Sequence, residues 1–175
     1  VTNTSPGGTS TGWLFLTGGG TVRIMNFAQS TRGMDLFQGT LMVDGGLVDA
    51  NNDGIRFKVP SGQAATTILT NNGALRIGGG GNFRMGDTGS SAGSLSQLII
   101  ASGTLELYGP AVNLFVSDRA GAPAVVTQNG GLVWGSAGAG NALTFANAAS
   151  GSDGTYNLNG GVLWIGQVKQ ANVSV

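Results

Sequence analysis

No cysteine and no histidine occur in this chain. The first absence excludes a disulfide frame and thiol chemistry; the second removes the commonest general base and metal ligand. Charge is scarce as well. Eight Lys and Arg balance eight Asp and Glu, only 9% of 175 residues and formally zero net charge, so a basic stripe for nucleic acid is not expected. No apolar run approaches the about 18 residues of a membrane-spanning helix, and no insertion into a membrane is expected. Runs of strong helix formers are missing too. What remains is Gly (33 residues), the small residues Ala, Ser, Thr and Asn, and a 41% hydrophobic fraction. Gly-rich composition alone suits disorder, but that much apolar content in strict alternation buries enough surface to offset the entropy of ordering.

Six glycines give the alternation a period. Gly20, Gly46, Gly73, Gly103, Gly131 and Gly161 follow one another at intervals of 26, 27, 30, 28 and 30 residues. A repeat of that size cannot bury its own apolar face and must stack on the next, which points to a solenoid. Two residues after each glycine stand Val22, Val48, Leu75, Leu105, Val133 and Leu163, and four after it Ile24, Ala50, Ile77, Leu107, Gly135 and Ile165. Between them come Arg23, Asp49, Arg76, Glu106, Trp134 and Trp164. Side chains alternate faces along a strand, so the first two columns point inward and the third outward. Helical spacing of three and four is absent.

The strand before each glycine repeats the pattern. Phe15, Leu41, Ile68, Leu98, Val126 and Tyr156 lie five residues ahead, and Thr17, Val43, Thr70, Ile100, Gln128 and Leu158 three ahead, as expected core positions. Pairs such as Asp44-Gly45 and Asn129-Gly130 then bend the chain at little cost. A third strand is expected at Ile55 to Val59, Asn82 to Met85, Asn113 to Val116, Ala142 to Phe145 and Asn172 to Val175; in the first unit Phe27 and the stretch Met34 to Phe37 compete for it. Three strands in about 28 residues match one coil of a right-handed parallel β-helix, here about six coils of three short strands. An antiparallel hairpin array is the rival, because Asp-Gly and Asn-Gly also mark hairpin turns. Residues 1–12 read as an extended N-terminal arm and residues 13–175 as one solenoid domain. Val175 falls inside a strand pattern with no polar cap after it, so the expectation is a longer chain or ends covered by neighbouring copies.

Three sets of residues carry functional readings. Arg23, Asp49, Arg76 and Glu106 alternate in sign from coil to coil, about 4.8 Å apart if the strands stack, and would form a charge ladder that fixes register. Trp134 and Trp164 continue that column outward; covered packing, a protein partner and a carbohydrate face all suit them. Asn82, Asn113 and Asn141 sit at the third corner, where stacked amides satisfy backbone groups in a ladder. A weak calcium candidate, Asp49, Asn51 and Asp53 before Gly54, matches the first half of a calcium loop, but Pro60 stands where the closing Glu belongs. An Asx-rich turn between two strands is the favoured explanation, and no other cofactor is indicated.

Catalysis finds little support. The acids Asp35, Asp44, Asp87, Asp118 and Asp153 are scattered, and no two acids share an outward column on adjacent coils. Gly78 to Gly81 lacks the following Lys of a phosphate cradle. A non-enzymatic chain is expected.

The segments Ser102 to Leu107, Gln128 to Trp134 and Gly154 to Leu163 resemble the autotransporter-associated β-strand repeats of passenger domains and related large bacterial surface proteins. The likeness runs from Trp13 to the C-terminus, through degenerate motifs. It implies an exported right-handed β-helix at the cell surface or outside the cell, serving as stalk, adhesin or surface coat. The expectation is therefore an extracellular structural or adhesive solenoid, a fibre or surface-layer unit joined through open coil ends. The alternative is a module binding surface glycans through Trp134 and Trp164.

Overall fold

The computed structural model describes residues 2–3, 13–16, 21–25, 28–87, 90–119, 122–135, 140–145 and 153–170; residues 2–3, 13–16, 21–25, 28–32 and 51–53 are described by backbone alone. Every regular element among them is a strand: β1 (Thr2–Asn3), β2 (Trp13–Leu16), β3 (Thr21–Met25), β4 (Ala28–Leu36), β5 (Gly39–Asp44), β6 (Leu47–Phe57), β7 (Ala64–Thr70), β8 (Ala74–Ile77), β9 (Asn82–Arg84), β10 (Leu95–Ile100), β11 (Thr104–Leu107), β12 (Leu114–Val116), β13 (Ala124–Gln128), β14 (Leu132–Gly135), β15 (Ala142–Phe145), β16 (Gly154–Leu158), β17 (Val162–Trp164) and β18 (Gln167–Gln170).

From β3 onward each strand pairs in parallel with its counterpart one winding away, so the chain is a parallel β-solenoid. The first face is a six-stranded sheet in the order β16-β13-β10-β7-β5-β3. The second face runs β17-β14-β11-β8-β6, and the third β6-β9-β12-β15-β18; β6 spans both and joins them into one twelve-stranded sheet with β4, β2 and β1. Four windings carry three separate strands, β7 to β9 through β16 to β18. In the two before them the second and third strands merge into β4 and β6, a departure from three short strands per coil. Within β6 the corner is turned by Gly54, whose φ of +72° and contact with the Asn82 backbone exclude a side chain.

The interior is a set of rows. Val48, Leu75, Leu105 and Val133 pair in register and are fully buried. On the first face Leu41, Thr67, Leu98 and Val126 do the same. Burial of one such aliphatic side chain contributes about 1.5–3 kcal/mol. Toward the C-terminal end the core becomes polar at one point, where Tyr156 Oη donates to Gln128 Oε1 at 2.5 Å and Gln128 Nε2 donates to the Val162 carbonyl at 3.0 Å.

Stacking also explains the period in glycine. A Cβ on Gly103 would collide with the carbonyl oxygen of Gly73, one on Gly131 with that of Gly103, and one on Gly161 with that of Gly131. At this corner successive coils touch backbone to backbone, and only a residue without a side chain fits.

The first unit departs from the sequence alignment. Arg23 pairs with Met42 on the first face, whereas Asp49 pairs with Ser30 on its other side. The segment after Gly20 therefore enters one face earlier than those after the later glycines, and Arg23 does not belong to the column of Asp49. Phe15 likewise pairs with Asp35 on the third face, not with the Leu41 column. Met34, paired with Ile55, takes the third-strand position of that unit; Phe27 lies outside the described residues. In the β7 coil the inward residues are Thr67 and Leu69, and Ile68 and Thr70 face outward. Three residues, Thr70 to Asn72, separate the inward row from Gly73, against two in the β10 coil, and Asn71 and Asn72 absorb the extra one at φ +49° and +60°. One added residue flips a strand's facing. The third strand of the last coil is β18, which pairs with β15; the expected strand at Asn172 to Val175 lies outside the described residues. Of the arm at 1–12, Thr2–Asn3 pairs antiparallel with β2, and the rest lies outside the described residues.

Candidate functional site

The outward column of the second face is a chemically varied strip. Parallel pairing sets Asp49 against Arg76, Arg76 against Glu106, Glu106 against Trp134 and Trp134 against Trp164. At about 4.8 Å per rung the five side chains span about 19 Å along the solenoid axis. Arg76 Nε donates to Glu106 Oε2 at 2.7 Å. The Arg76 guanidinium carbon also stands 5.5 Å from the Tyr108 ring, which lies over Gly78 so closely that a Cβ there would strike it. Asp49 is placed differently. Its Oδ1 is buried with no hydrogen-bond partner among the described residues. Burial pushes the Asp49 carboxyl above the usual carboxylate range; Arg76 opposes this and Glu106 adds to it. The Arg76 guanidinium is held more firmly protonated, chiefly by its hydrogen bond to Glu106. The charge ladder is thus one tight pair, Arg76 and Glu106, with Asp49 in its field and Arg23 on another face.

The two tryptophans end the strip. Trp164 is 66% exposed, Val162 beside it 53%, and Trp134 is half-buried. Since Leu132 pairs with Val162 in the neighbouring outward column, an apolar patch of four large side chains adjoins the ion pair.

The chain matches no family model, no curated protein and no solved structure.

At the third corner Asn113 donates from its backbone N to Asn82 Oδ1 at 2.8 Å, and Asn113 Oδ1 accepts from the backbone N of Ala142 at 2.9 Å. Asn141 does not continue this ladder. Leu114 pairs with Leu143, which brings Ala142 above Asn113 and sets Asn141 one residue short. Its Nδ2 instead turns inward and donates to the carbonyls of Val112 and Gly109, at 2.8 and 3.1 Å.

Of the calcium candidate, Asp49 stands in mid-strand, and the side chains of Asn51 and Asp53 lie outside the described residues. The backbone there is the continuous strand β6, not a free loop. Among the described residues no group of three or more acids could hold a metal ion.

A second charged array was missed in the sequence. On the third face Asp35 accepts from Arg56 Nε at 2.7 Å and pairs with Lys58 Nζ at 2.9 Å, while Arg84 pairs with the fully buried Asp118 at 2.7 Å and lies 4.5 Å from the Phe115 ring. The signal was a shared column, Asp35, Arg56, Arg84 and Phe115, readable only once the third strands are aligned with one another.

Proposed function

We propose that this chain is a non-enzymatic structural or adhesive β-solenoid of the cell surface or extracellular space, a unit that extends by axial stacking of coils. One observation carries the reading. The last described coil turns core residues to solvent: Leu158 is 52% and Val168 65% exposed, although their rows are buried in the coils below. The strands β16, β17 and β18 also stand at the ends of their sheets, with hydrogen-bonding edges unpaired among the described residues. A surface of that kind is satisfied by another coil of the same cross-section. Few charges and no cysteine support an exported fibre or surface-layer unit. Electron microscopy of the purified protein tests this: regular filaments of one solenoid width are expected, and the variant Val168→Lys should abolish them without changing the circular dichroism spectrum. Particles that stay monodisperse at high concentration would overturn the proposal.

The exposed Trp164, in register with Trp134, favours a second reading as a glycan-binding face, because flat aromatic plates beside polar groups suit sugar rings. Retention on immobilised neutral glycans that is lost in Trp164→Ala supports it; no retention on any glycan tested refutes it.

A further inference from the structure

Three Asn-Gly pairs stand at the corner between the first and second faces, Asn72-Gly73, Asn129-Gly130 and Asn159-Gly160. All three asparagines are exposed, and the sequence treats them alike: glycine, with no side chain, leaves its backbone nitrogen open to the preceding carboxamide. The structure separates them. Asn159 Nδ2 donates to Asn129 Oδ1 at 2.9 Å, across one rung. The glycine N–H groups are held to different degrees, Gly73 N by the Thr70 carbonyl at 2.8 Å, Gly160 N by the Gln128 carbonyl at 3.1 Å and Gly130 N by the Ile100 carbonyl at 3.3 Å. Among the described residues, Asn129 is thus the asparagine of the three whose Oδ1 accepts a side-chain donor and whose following amide is bound most loosely.

We propose that Asn129 is a site of spontaneous deamidation in the folded chain, with the Asn159 carboxamide as its activating donor. The Gly130 nitrogen, after passing its proton to hydroxide, adds to Asn129 Cγ and forms a new N–C bond. Negative charge then develops on Asn129 Oδ1, the atom to which Asn159 Nδ2 already donates; a donor placed where charge develops lowers the barrier. The Cγ–Nδ2 bond breaks, and the nitrogen leaves as ammonia with a proton taken from water. Water adds to the resulting succinimide at either carbonyl and opens it to aspartate or isoaspartate, so the net reaction consumes a water and releases an ammonia. Asn159 lacks the same help. Its own Nδ2 is the donor of that bond and must give it up on leaving.

The two products act differently on the corner. Aspartate keeps the Asn159 bond, now to a charged acceptor, and adds a negative charge to a chain of formally zero net charge. Isoaspartate lengthens the backbone by a methylene. The corner is so close that a Cβ on Gly130 would stand 2.5 Å from the Ala101 carbonyl oxygen, and one on Gly160 2.6 Å from that of Asn129, so the isoaspartate product loosens the rung between the last two described coils. The change needs no enzyme and does not depend on axial stacking.

The test is peptide mapping by mass spectrometry of the folded protein held in mildly alkaline buffer. Asn129 should convert ahead of Asn159 and Asn72, and that order should be lost in concentrated urea. Asn159→Ala removes the donor and should slow conversion at Asn129 about two- to tenfold, the rate equivalent of one neutral hydrogen bond, with an unchanged circular dichroism spectrum. Asn159→Asp is the second variant: it keeps the shape of the side chain, offers no donor in alkaline buffer, and should slow Asn129 at least as much. Asn72 is the internal control, and its rate should not change in either variant. A folded chain in which Asn159 or Asn72 converts first, in which Asn129 does not convert, or in which both variants leave the Asn129 rate unchanged would overturn the proposal, as would an order that survives in urea.

Discussion

Replacing Gly103 by Ala separates two reasons for a glycine that usually coincide. Gly103 does not have a positive φ, so alanine meets no intrinsic backbone penalty there. The obstacle is the coil below: the added Cβ would stand 2.8 Å from Leu69 Cβ and closer still to the Gly73 carbonyl oxygen. Neither is the far end of a flexible side chain, so relief requires the two coils to part locally. Two rung hydrogen bonds bracket the site, Thr104 N to Gly73 O and Leu132 N to Gly103 O, both 2.9 Å. Weakening both costs about 1 kcal/mol each, and lost packing around Leu69 brings the total to about 2–4 kcal/mol. For a chain of this size that is a fall in Tm of about 4–16 °C. Gly62 is the complement, with φ +72° and nothing within 4 Å of an added Cβ. Gly62→Ala should cost only the left-handed backbone penalty, about 1–2 kcal/mol. Thermal and urea melts followed by circular dichroism compare the two. If Gly103→Ala proves no more damaging than Gly62→Ala, the claim that coil-to-coil clearance sets the repeat is wrong.

Other outcomes follow from the ladders and the charged strip. Asn113→Leu removes the acceptor of the Ala142 N–H and should destabilise by about 1–3 kcal/mol; an unchanged melt would refute the amide ladder. The Asp49 carboxyl binds its proton more tightly in the folded chain than in the unfolded one, so its contribution to stability falls as pH rises through the window above the ordinary carboxylate pKa and is constant beyond it. Asp49→Asn should therefore gain in stability over wild type as pH rises through that window, with the difference gone below about pH 4; melts over a pH series check the sign. The Arg76 side chain is 41% exposed, so Glu106→Gln should cost at most about 1 kcal/mol and lose its effect at high salt, measured by urea melts with and without added salt.

The solenoid was legible because its repeat is written twice, in glycines that clear the coil below and in apolar residues alternating on either side. From Gly46 onward the second-face rows fall where the spacing put them, including the outward sequence from Asp49 to Trp164. The failures have separate causes. Alignment on a single glycine assumes that each unit enters the coil at the same corner, and Gly20 does not: from Thr21 the chain reaches its stacked partner Thr40 in 19 residues, against the 26 separating Gly20 from Gly46. Arg23 was lost from the ladder on that account. Ile68 and Asn141 were misplaced by one residue, because an extra corner residue changes facing without disturbing composition. The array of Asp35, Arg56, Arg84 and Asp118 lay in third strands as short as three residues, too brief to declare a period of their own.

The corners of the solenoid differ in how freely they accept length. In the β7 and β10 coils only four and three residues link the inner row to the next strand, with the repeat glycine wedged against the coil beneath. Between the third face and the first, by contrast, ten residues connect β9 to β10 and seven connect β12 to β13, and the rungs on either side keep their registers. That edge is where this scaffold would carry a grafted peptide or an inherited insertion: foreign sequence could be displayed there at rung intervals while the strands beneath kept their pairing.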